Sequence, residues 1–425
     1  MRRHVSFVSL LLASALLPLS GCQSAASATT GAASAAASPE STTEAVPAPV
    51  REDFATWVAD FRRQARAEGI APSTLAAAFD SVDYLPRVIE LDRSQPEFTR
   101  QVWDYLDSAV SETRITQGRA KLAAQHDAIA AASQRYGVPA EILVAIWGIE
   151  SNYGGNFGSF STIDALATLG YDGRRPDFAR NQLMAALRIL ERGDIDRERM
   201  RGSWAGAMGH TQFIPTSFEA YARDADGDGR RDIWGSIADV MASTAYYLDE
   251  SGWWTGKPWG VEVRLPADFD YAQTELSTRR PSQAWAVQGV TPIHGDTLPE
   301  FSEASVIAPA GARGPAFLVG HNFRVIMRYN NSTSYALAVG LLSDRIAGQP
   351  GVVADWPRNE PALSRSQVKT LQTQLNAHGF DVGAPDGVIG PNTRRGIREF
   401  QRSLGETPDG FATLDLLRRL QDGGV

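Results

Sequence analysis

Eight consecutive apolar residues, 142–149, follow Pro139, Ala140 and Glu141 and run into Glu150-Ser151-Asn152-Tyr153-Gly154-Gly155. Proline suits a helix start, so the run reads as a helix beginning near Pro139 and apolar on every side. Such a helix has no face to give to water and must be enclosed by other elements. The chain therefore has to build a body large enough to wrap a central helix. Glu150 then stands where that helix ends and a glycine-rich loop begins. Desolvation and the negative pole of the helix dipole both disfavour its ionised form there. A carboxyl group kept protonated near neutral pH is what a general acid requires. The alternative is a glutamate that simply escapes into solvent past the helix end.

The N-terminal end speaks to location. Arg2 and Arg3 precede an apolar stretch over residues 5–19, and Leu19-Ser20-Gly21-Cys22 follows. A basic start, a short apolar core and small residues before a cut site describe an export signal. The stretch is shorter than the roughly 20 residues a spanning helix needs. Leu-Ser-Gly-Cys resembles the bacterial lipobox, which implies removal of residues 1–21 and lipidation of Cys22, the single cysteine of the 425-residue chain. With one cysteine there is no internal disulfide, thiolate zinc cluster or cysteine nucleophile in the body. Gln23, rather than Asp, follows the cysteine, which in similar lipoproteins favours the outer membrane. Residues 22–50 are nearly all Ala, Ser, Thr and Pro and cannot bury enough apolar surface to fold. As a flexible tether they reach about 30 Å, and roughly 100 Å fully stretched. Loss of Arg2 and Arg3 leaves 39 basic against 49 acidic residues, a net charge of −10. An exported acidic chain has no electrostatic case for binding nucleic acid.

The remaining residues suffice for two or three domains. Residues 52–248 read as mostly helical, with helical-period apolar positions such as Phe54, Val58 and Phe61, then Leu183, Leu187 and Leu190. Residues 259–316 change pattern: Val261-Glu-Val-Arg-Leu265 alternates as a strand does, and Pro and Gly recur. Residues 324–346 return to helix, and a proline-containing linker spans 348–361. In the last unit Val368, Leu371 and Leu375, then Ile397, Phe400 and Leu404, then Leu414, Leu417 and Leu420 make three helical stripes. Pro385-Asp386-Gly387 and Pro408-Asp409-Gly410 are turn sequences before the second and third. With Gly379-Phe380, Gly390-Pro391-Asn392-Thr393 and Ile397-Arg-Glu-Phe-Gln401, this unit resembles the peptidoglycan-binding domain of cell-wall enzymes.

About 60 residues after Glu150, the segment 203–217 packs two glycines, Gly206 and Gly209, and the polar Gln212 into a largely apolar stretch. Glycine permits close backbone approach, and an amide both donates and accepts. Glu150-Ser-Asn-Tyr-Gly154, Ala165-Leu-Ala-Thr-Leu169, Arg174-Arg175, Gly206-Ala-Met-Gly-His-Thr-Gln212-Phe-Ile-Pro215, Tyr329-Asn330 and Tyr335-Ala-Leu-Ala-Val339 together resemble the lytic transglycosylases of the membrane-bound murein transglycosylase B family. The resemblance spans residues 51–347. It implies a mainly α protein: a lysozyme-like (goose-type-like) catalytic domain over 51–347 with a small β-containing insertion, and a C-terminal three-helix peptidoglycan-binding domain over 362–422. It makes Glu150 the catalytic residue. Arg174, Arg175, Ser203, Gln212, Tyr247, Tyr329, Asn330 and Tyr335 become sugar-contacting positions, with Tyr246 the rival of Tyr247. The implied reaction cuts the β-1,4 bond between N-acetylmuramic acid and N-acetylglucosamine. One glutamate acts as acid and then as base, and a 1,6-anhydro end forms without water. The implied partners are peptidoglycan strands and, through Cys22, the outer membrane on its periplasmic side. Asp164 and Asp172 lie near in sequence but are expected to cap helices or pair with Arg174 or Arg175. A water-using muramidase and a non-catalytic wall-binding lipoprotein are the alternative readings.

Asp224, Asp226, Asp228 and the main-chain carbonyl of Arg230 match the first half of an EF-hand loop, with Gly229 at the sixth position. Gly235 stands where the bidentate glutamate belongs, and Asp239, four residues on, can close a longer loop as in similar family members. A structural Ca²⁺ is expected. The alternative is an acidic turn balanced by Arg230 and Arg231.

Overall fold

The computed structural model describes residues 48–94 and 100–423. The export signal, Cys22 and tether residues 22–47 lie outside the described residues. The first helix, Ala48–Ala67, takes in residues 48–50, which by composition alone belong to the tether. Pro49 falls in the first helical turn, where a missing N–H costs no hydrogen bond.

The apolar run forms the helix Ala140–Ser151, and Ile142 through Gly148 are all buried. Four helices enclose it: Glu112–Ala124, His126–Tyr136, Ile237–Glu250 and Thr333–Ile346. A second layer pairs Thr162–Asp172 with Pro176–Arg192 and sets Pro86–Arg93 against the former. A two-stranded antiparallel ribbon, β1 (Phe160–Ser161) and β2 (Arg201–Gly202), bridges the segments after Glu150 and before the glycine-rich stretch.

The stretch expected as one helix over 324–346 is two, His321–Tyr329 and Thr333–Ile346. Asn330 is extended (φ −142°, ψ 118°), and Ser332 caps the second helix by accepting the Tyr335 N–H at 3.3 Å. A serine cap competes with helix continuation, and the break turns Tyr329 and Tyr335 toward a common centre.

The insertion carries four further strands: β3 (Gly260–Arg264), β4 (Thr291–Pro292), β5 (Ser305–Ile307) and β6 (Ala316–Val319). They form an antiparallel sheet in the order β4-β3-β6-β5. Val263, Phe269, Trp285 and Leu318 fill its own small core.

The C-terminal unit has three helices, Arg365–Ala377, Pro391–Ser403 and Leu414–Gln421. Val368, Leu371, Leu375, Ile397, Phe400, Leu417 and Leu420 meet in its core, joined by Leu416. Leu404 and Leu414 sit at helix ends and are only partly buried. Each Pro-Asp-Gly turn is clamped by a glutamine one helix earlier. The Gln372 amide donates to Asp386 at 2.9 Å and accepts the Gly387 N–H at 2.9 Å. Gln401 repeats this with Asp409 at 2.7 Å and Gly410 at 2.8 Å.

The unit is docked on the insertion. Glu275 receives the Arg394 guanidinium at 2.9 and 2.7 Å and lies 3.6 Å from Arg398. The linker is pinned as well: Glu262 accepts the N–H groups of Val353 and Ala354 at 2.8 and 2.9 Å. Among the described residues, no helix is long and apolar enough to cross a membrane.

Candidate active site

The core helix ends in an unusual way. Asn152 (φ 49°) and Tyr153 (φ 58°) are both left-handed, a conformation that costs side-chain-bearing residues energy. Contacts hold the second in place. The Tyr153 hydroxyl donates to the Arg114 carbonyl at 2.8 Å. Its ring lies so close to Gly148 that a Cβ there would meet it at 2.6 Å. Glycine at 148 is thus required by the ring, and the ring turns the chain sharply away from the helix axis. Glu150 is left half-buried on the last turn, facing the neighbouring helix Thr333–Ile346.

From that helix the buried Tyr335 donates its hydroxyl to Glu150 Oε1 at 2.6 Å. Burial pushes the Glu150 carboxyl up to about 7, and the Tyr335 hydrogen bond offsets part of the rise. The negative charge of ionised Glu150 is felt by four tyrosines: Tyr105, Tyr247, Tyr329 and Tyr335. All four phenols are raised above their ordinary value, first of all by burial. They stay protonated at neutral pH and present O–H groups around one carboxyl.

The structure separates Tyr247 from its neighbour. The Tyr247 ring packs 4.9 Å from Tyr329 and 5.7 Å from Phe213, and its hydroxyl donates to the Arg328 carbonyl at 2.5 Å. Tyr246 turns the other way, against Tyr136, with the Arg223 guanidinium 3.4 Å from its ring centre. Tyr329 donates to the Thr211 carbonyl at 2.7 Å, which ties this cluster to the glycine-rich segment. Gln212, itself left-handed (φ 51°), donates its amide to the carbonyls of Phe157 and Gly209 at 3.0 and 2.9 Å. It thereby joins the loop after Glu150 to the segment 203–217.

Other expected positions are more distant in the network. Ser203 accepts the Ala207 N–H at 3.1 Å and shapes a turn beside β2. Asn330 occupies the break between the two helices. Arg174 is exposed and anchored to the buried Asp92, by its N–H at 2.9 Å and its guanidinium at 3.4 Å. Arg175 lies over the Phe178 ring. The pairing expected of Asp164 and Asp172 is overturned. Asp164 binds Arg197 at 2.6 Å, and Asp172 binds Arg93 at 2.7 Å while accepting the Tyr84 hydroxyl at 2.8 Å. Their helix turns these carboxylates toward Arg197 and Arg93, away from the arginines next to them in sequence. Asp164 does sit in the first turn of its helix, with its N–H on the Ser161 cap.

Sequence reasoning passed over Tyr105. It lies on the helix Val102–Ala109 between the buried Trp103 and Leu106, and with Arg114, Ile149 and Tyr335 it lines a small cleft beside Glu150. Nothing in its local sequence marks it, since an aromatic residue on a short amphipathic helix reads as core.

In the acidic loop, Asp224, Asp226 and Asp239 bring carboxylate oxygens within 4.8 Å of one another. Asp239 is fully buried and takes the N–H groups of Ala225 and Asp232, each at 2.7 Å. Burial, with Asp226 nearby, pushes its carboxyl up to about 6. Asp228 turns instead to the Arg230 N–H at 2.8 Å. The Arg231 guanidinium is taken by Asp194, outside the loop, so it does not balance these charges. Converging carboxylates with one buried among them fit a hard cation with oxygen ligands.

Comparison with known proteins follows the same division. The transglycosylase SLT domain family matches residues 53–344, and the putative peptidoglycan binding domain family matches residues 364–420. Membrane-bound lytic murein transglycosylase B of Escherichia coli (strain K12) is 35% identical over 223 residues, which cover 52% of this chain and 60% of that protein. SltB3 from Pseudomonas aeruginosa, solved with NAG-anhNAM-pentapeptide, is 54% identical and superposes with a TM-score of 0.84 over 87% of this chain and 99% of its own. The lytic transglycosylase Slt35 of Escherichia coli, solved with calcium, is 29% identical with a TM-score of 0.57, over 69% of this chain and 92% of its own.

Proposed function

This chain belongs to the transglycosylase SLT domain family, with its mainly helical, lysozyme-like fold, and from that premise we propose that it is a lytic transglycosylase of peptidoglycan. The observation that carries the reading is the composition of the ring around Glu150. Four tyrosines sense its charge, and one of them, Tyr335, donates to it directly at 2.6 Å. An acid that titrates near neutrality suits a reaction in which the same group gives and then takes a proton.

Protonated Glu150 donates to the glycosidic oxygen as the bond between muramic acid C1 and that oxygen breaks. The resulting carboxylate accepts the proton of the muramic acid C6 hydroxyl, whose oxygen bonds to C1. The product is a 1,6-anhydro end, and Glu150 returns to its protonated state with no water consumed. The Tyr335 hydrogen bond is strongest to the carboxylate, so it stabilises the base half of the cycle. Tyr105, Tyr247, Tyr329 and Gln212 flank the glycan, and Ser203, Asn330, Arg174 and Arg175 extend the contact along it.

The C-terminal unit holds the enzyme on the wall, and Cys22 anchors the exported chain to the outer membrane through lipid. In the acidic loop, Asp224, Asp226, Asp239 and the Arg230 carbonyl would hold a structural Ca²⁺; Asp228 is not in the cluster. A chelator then lowers the melting temperature by several degrees, as loss of a ligand bound only to the folded state must. An unchanged melting curve removes the metal.

Digestion of purified peptidoglycan followed by mass spectrometry tests the reaction. Products lighter by one water than the hydrolysed muropeptides are expected. Reducing ends instead would make the protein a muramidase, and the absence of cleavage would leave a wall-binding scaffold.

A further inference from the structure

His210 lies in the glycine-rich segment and takes no part in the proton transfers of Glu150, yet it touches three separate parts of the site. Its Nδ1 accepts the Trp147 indole N–H at 3.0 Å. Its ring stacks on Trp147 at 5.9 Å and on Phe157, in the loop after Glu150, at 5.4 Å. Gly154 of the same loop closes so tightly over the imidazole that a Cβ there would collide with it. The His210 main-chain N–H donates to the Ile233 carbonyl at 2.9 Å, at the far end of the acidic loop. One residue thus holds the core helix, the loop that follows it and the acidic loop in fixed relation.

Trp147 is the link to the catalytic group. It is buried on the core helix three residues before Glu150, and positions so spaced are neighbours on one helix face. Its ring stands edge-on to Tyr153 at 5.7 Å and nearly parallel to His210, so the last turn is clamped between a phenol and an imidazole. The indole N–H can only donate, so its bond requires Nδ1 without a proton and puts the ring proton on Nε2. A second proton, on Nδ1, would set two donors against each other. Burial holds the imidazole below the ordinary histidine range; Asp232 opposes this, Lys121 of the helix Glu112–Ala124 reinforces it, and the Trp234 backbone opposes it. Asp232 is itself paired with Arg199 at 3.5 Å. The core helix brings Glu150, which titrates higher, at about 7, and the loop brings the Tyr153 phenol, raised by burial and neutral.

We infer that His210 is a positioning residue for Glu150: as a neutral imidazole it seats Trp147 and the loop after the core helix so that the carboxyl meets the scissile bond, and a proton on Nδ1 releases that seat. For its kinetic consequence the inference rests on the proposed transglycosylase reading. A reaction run by Glu150 alone asks only that the free enzyme carry a protonated carboxyl, so kcat/KM would stay level as pH falls. His210 adds an acid limb to that profile.

The test joins kinetics to spectroscopy on the full chain. On soluble glycan strands, wild-type kcat/KM should fall again at acid pH, with a midpoint below the ordinary histidine value. His210→Phe keeps a ring between Trp147 and Phe157 but strands the indole N–H; it should lower kcat roughly tenfold with KM within about twofold. His210→Asn puts an amide oxygen where Nδ1 stood, an acceptor that does not titrate in this range. It should restore most of the lost turnover, with the acid limb gone. No acid limb in the wild type, a limb that persists in both variants, or a loss confined to KM overturns the inference. Nitrogen NMR of histidine-labelled protein, with the His210 signal identified by its loss in His210→Asn, needs no turnover. It should show the Nε2–H tautomer at neutral pH and a midpoint that coincides with the acid limb; an Nδ1–H tautomer overturns the inference. A protein that cleaves nothing but shows this tautomer and a Trp147 indole signal shifting with the same midpoint would refute the enzymatic reading and leave the seat standing. Anhydro products with a level acid side would do the reverse.

Discussion

The end of the core helix and the C-terminal unit treat carboxyl groups in opposite ways. Asp386 accepts the Gln372 amide and the Val388 N–H, and these hold its carboxyl below the ordinary range. Asp409 is clamped by Gln401 and also accepts the Ala312 N–H at 2.9 Å, across the interface with the insertion. Among the described residues the Glu150 side chain has one hydrogen bond, from Tyr335, and burial that outweighs it. A carboxylate given several donors, as Asp386 is, is favoured in its ionised form. One given too few donors in a desolvated place is held near its protonation midpoint at neutral pH, where proton transfer is easiest in both directions. Donor supply, rather than residue type, separates the two regions.

Removing the group itself should have the largest effect. Glu150→Gln should lower turnover of wall polymer by at least ~10²–10⁴, while sedimentation with insoluble peptidoglycan through residues 362–422 stays intact. Residual activity above a few per cent would end the contrast, because Glu150 would then not be the acid. Next comes the opposite region. Gln401→Ala leaves Asp409 and the Gly410 N–H without their clamp and should cost about 1–3 kcal/mol of stability, read by urea unfolding, with turnover of soluble glycan unchanged. A loss of turnover equal to that of a catalytic variant would show that the two regions are not independent.

The smallest effect is the most diagnostic. Glu150 must be protonated to act as acid, so kcat/KM should fall as pH rises through about 7. Tyr335 favours the ionised form, so Tyr335→Phe raises the Glu150 value further. The alkaline limb should move up by about one unit or less, with kcat down roughly tenfold as the carboxylate loses its donor. A limb that moves down, or stays fixed, would mean that Tyr335 does not control the ionisation.

Much of this architecture is readable along the chain, wherever the cause is local. An apolar run with no polar face announced a buried helix, and its last residue was a carboxyl with reason to be protonated. Period-3.6 stripes and Pro-Asp-Gly turns marked the three C-terminal helices, and alternation marked β3. The misses share one cause. The helix break at Asn330, the Asp92 anchor of Arg174 and the place of Tyr105 depend on what lies across the interface, where spacing carries no information. The docking of Arg394 on Glu275 is of the same kind.

The sequence by itself therefore determined which residue types were present, the helices that carry them and the position of Glu150 at a buried helix end. Tertiary structure decided which groups face that carboxyl. Tyr335 reaches it from 185 residues away, and only the packing of one helix against another brings a phenol to that carboxyl. Local periodicity follows from the geometry of the backbone; the donors around a buried group follow from which helices share a core.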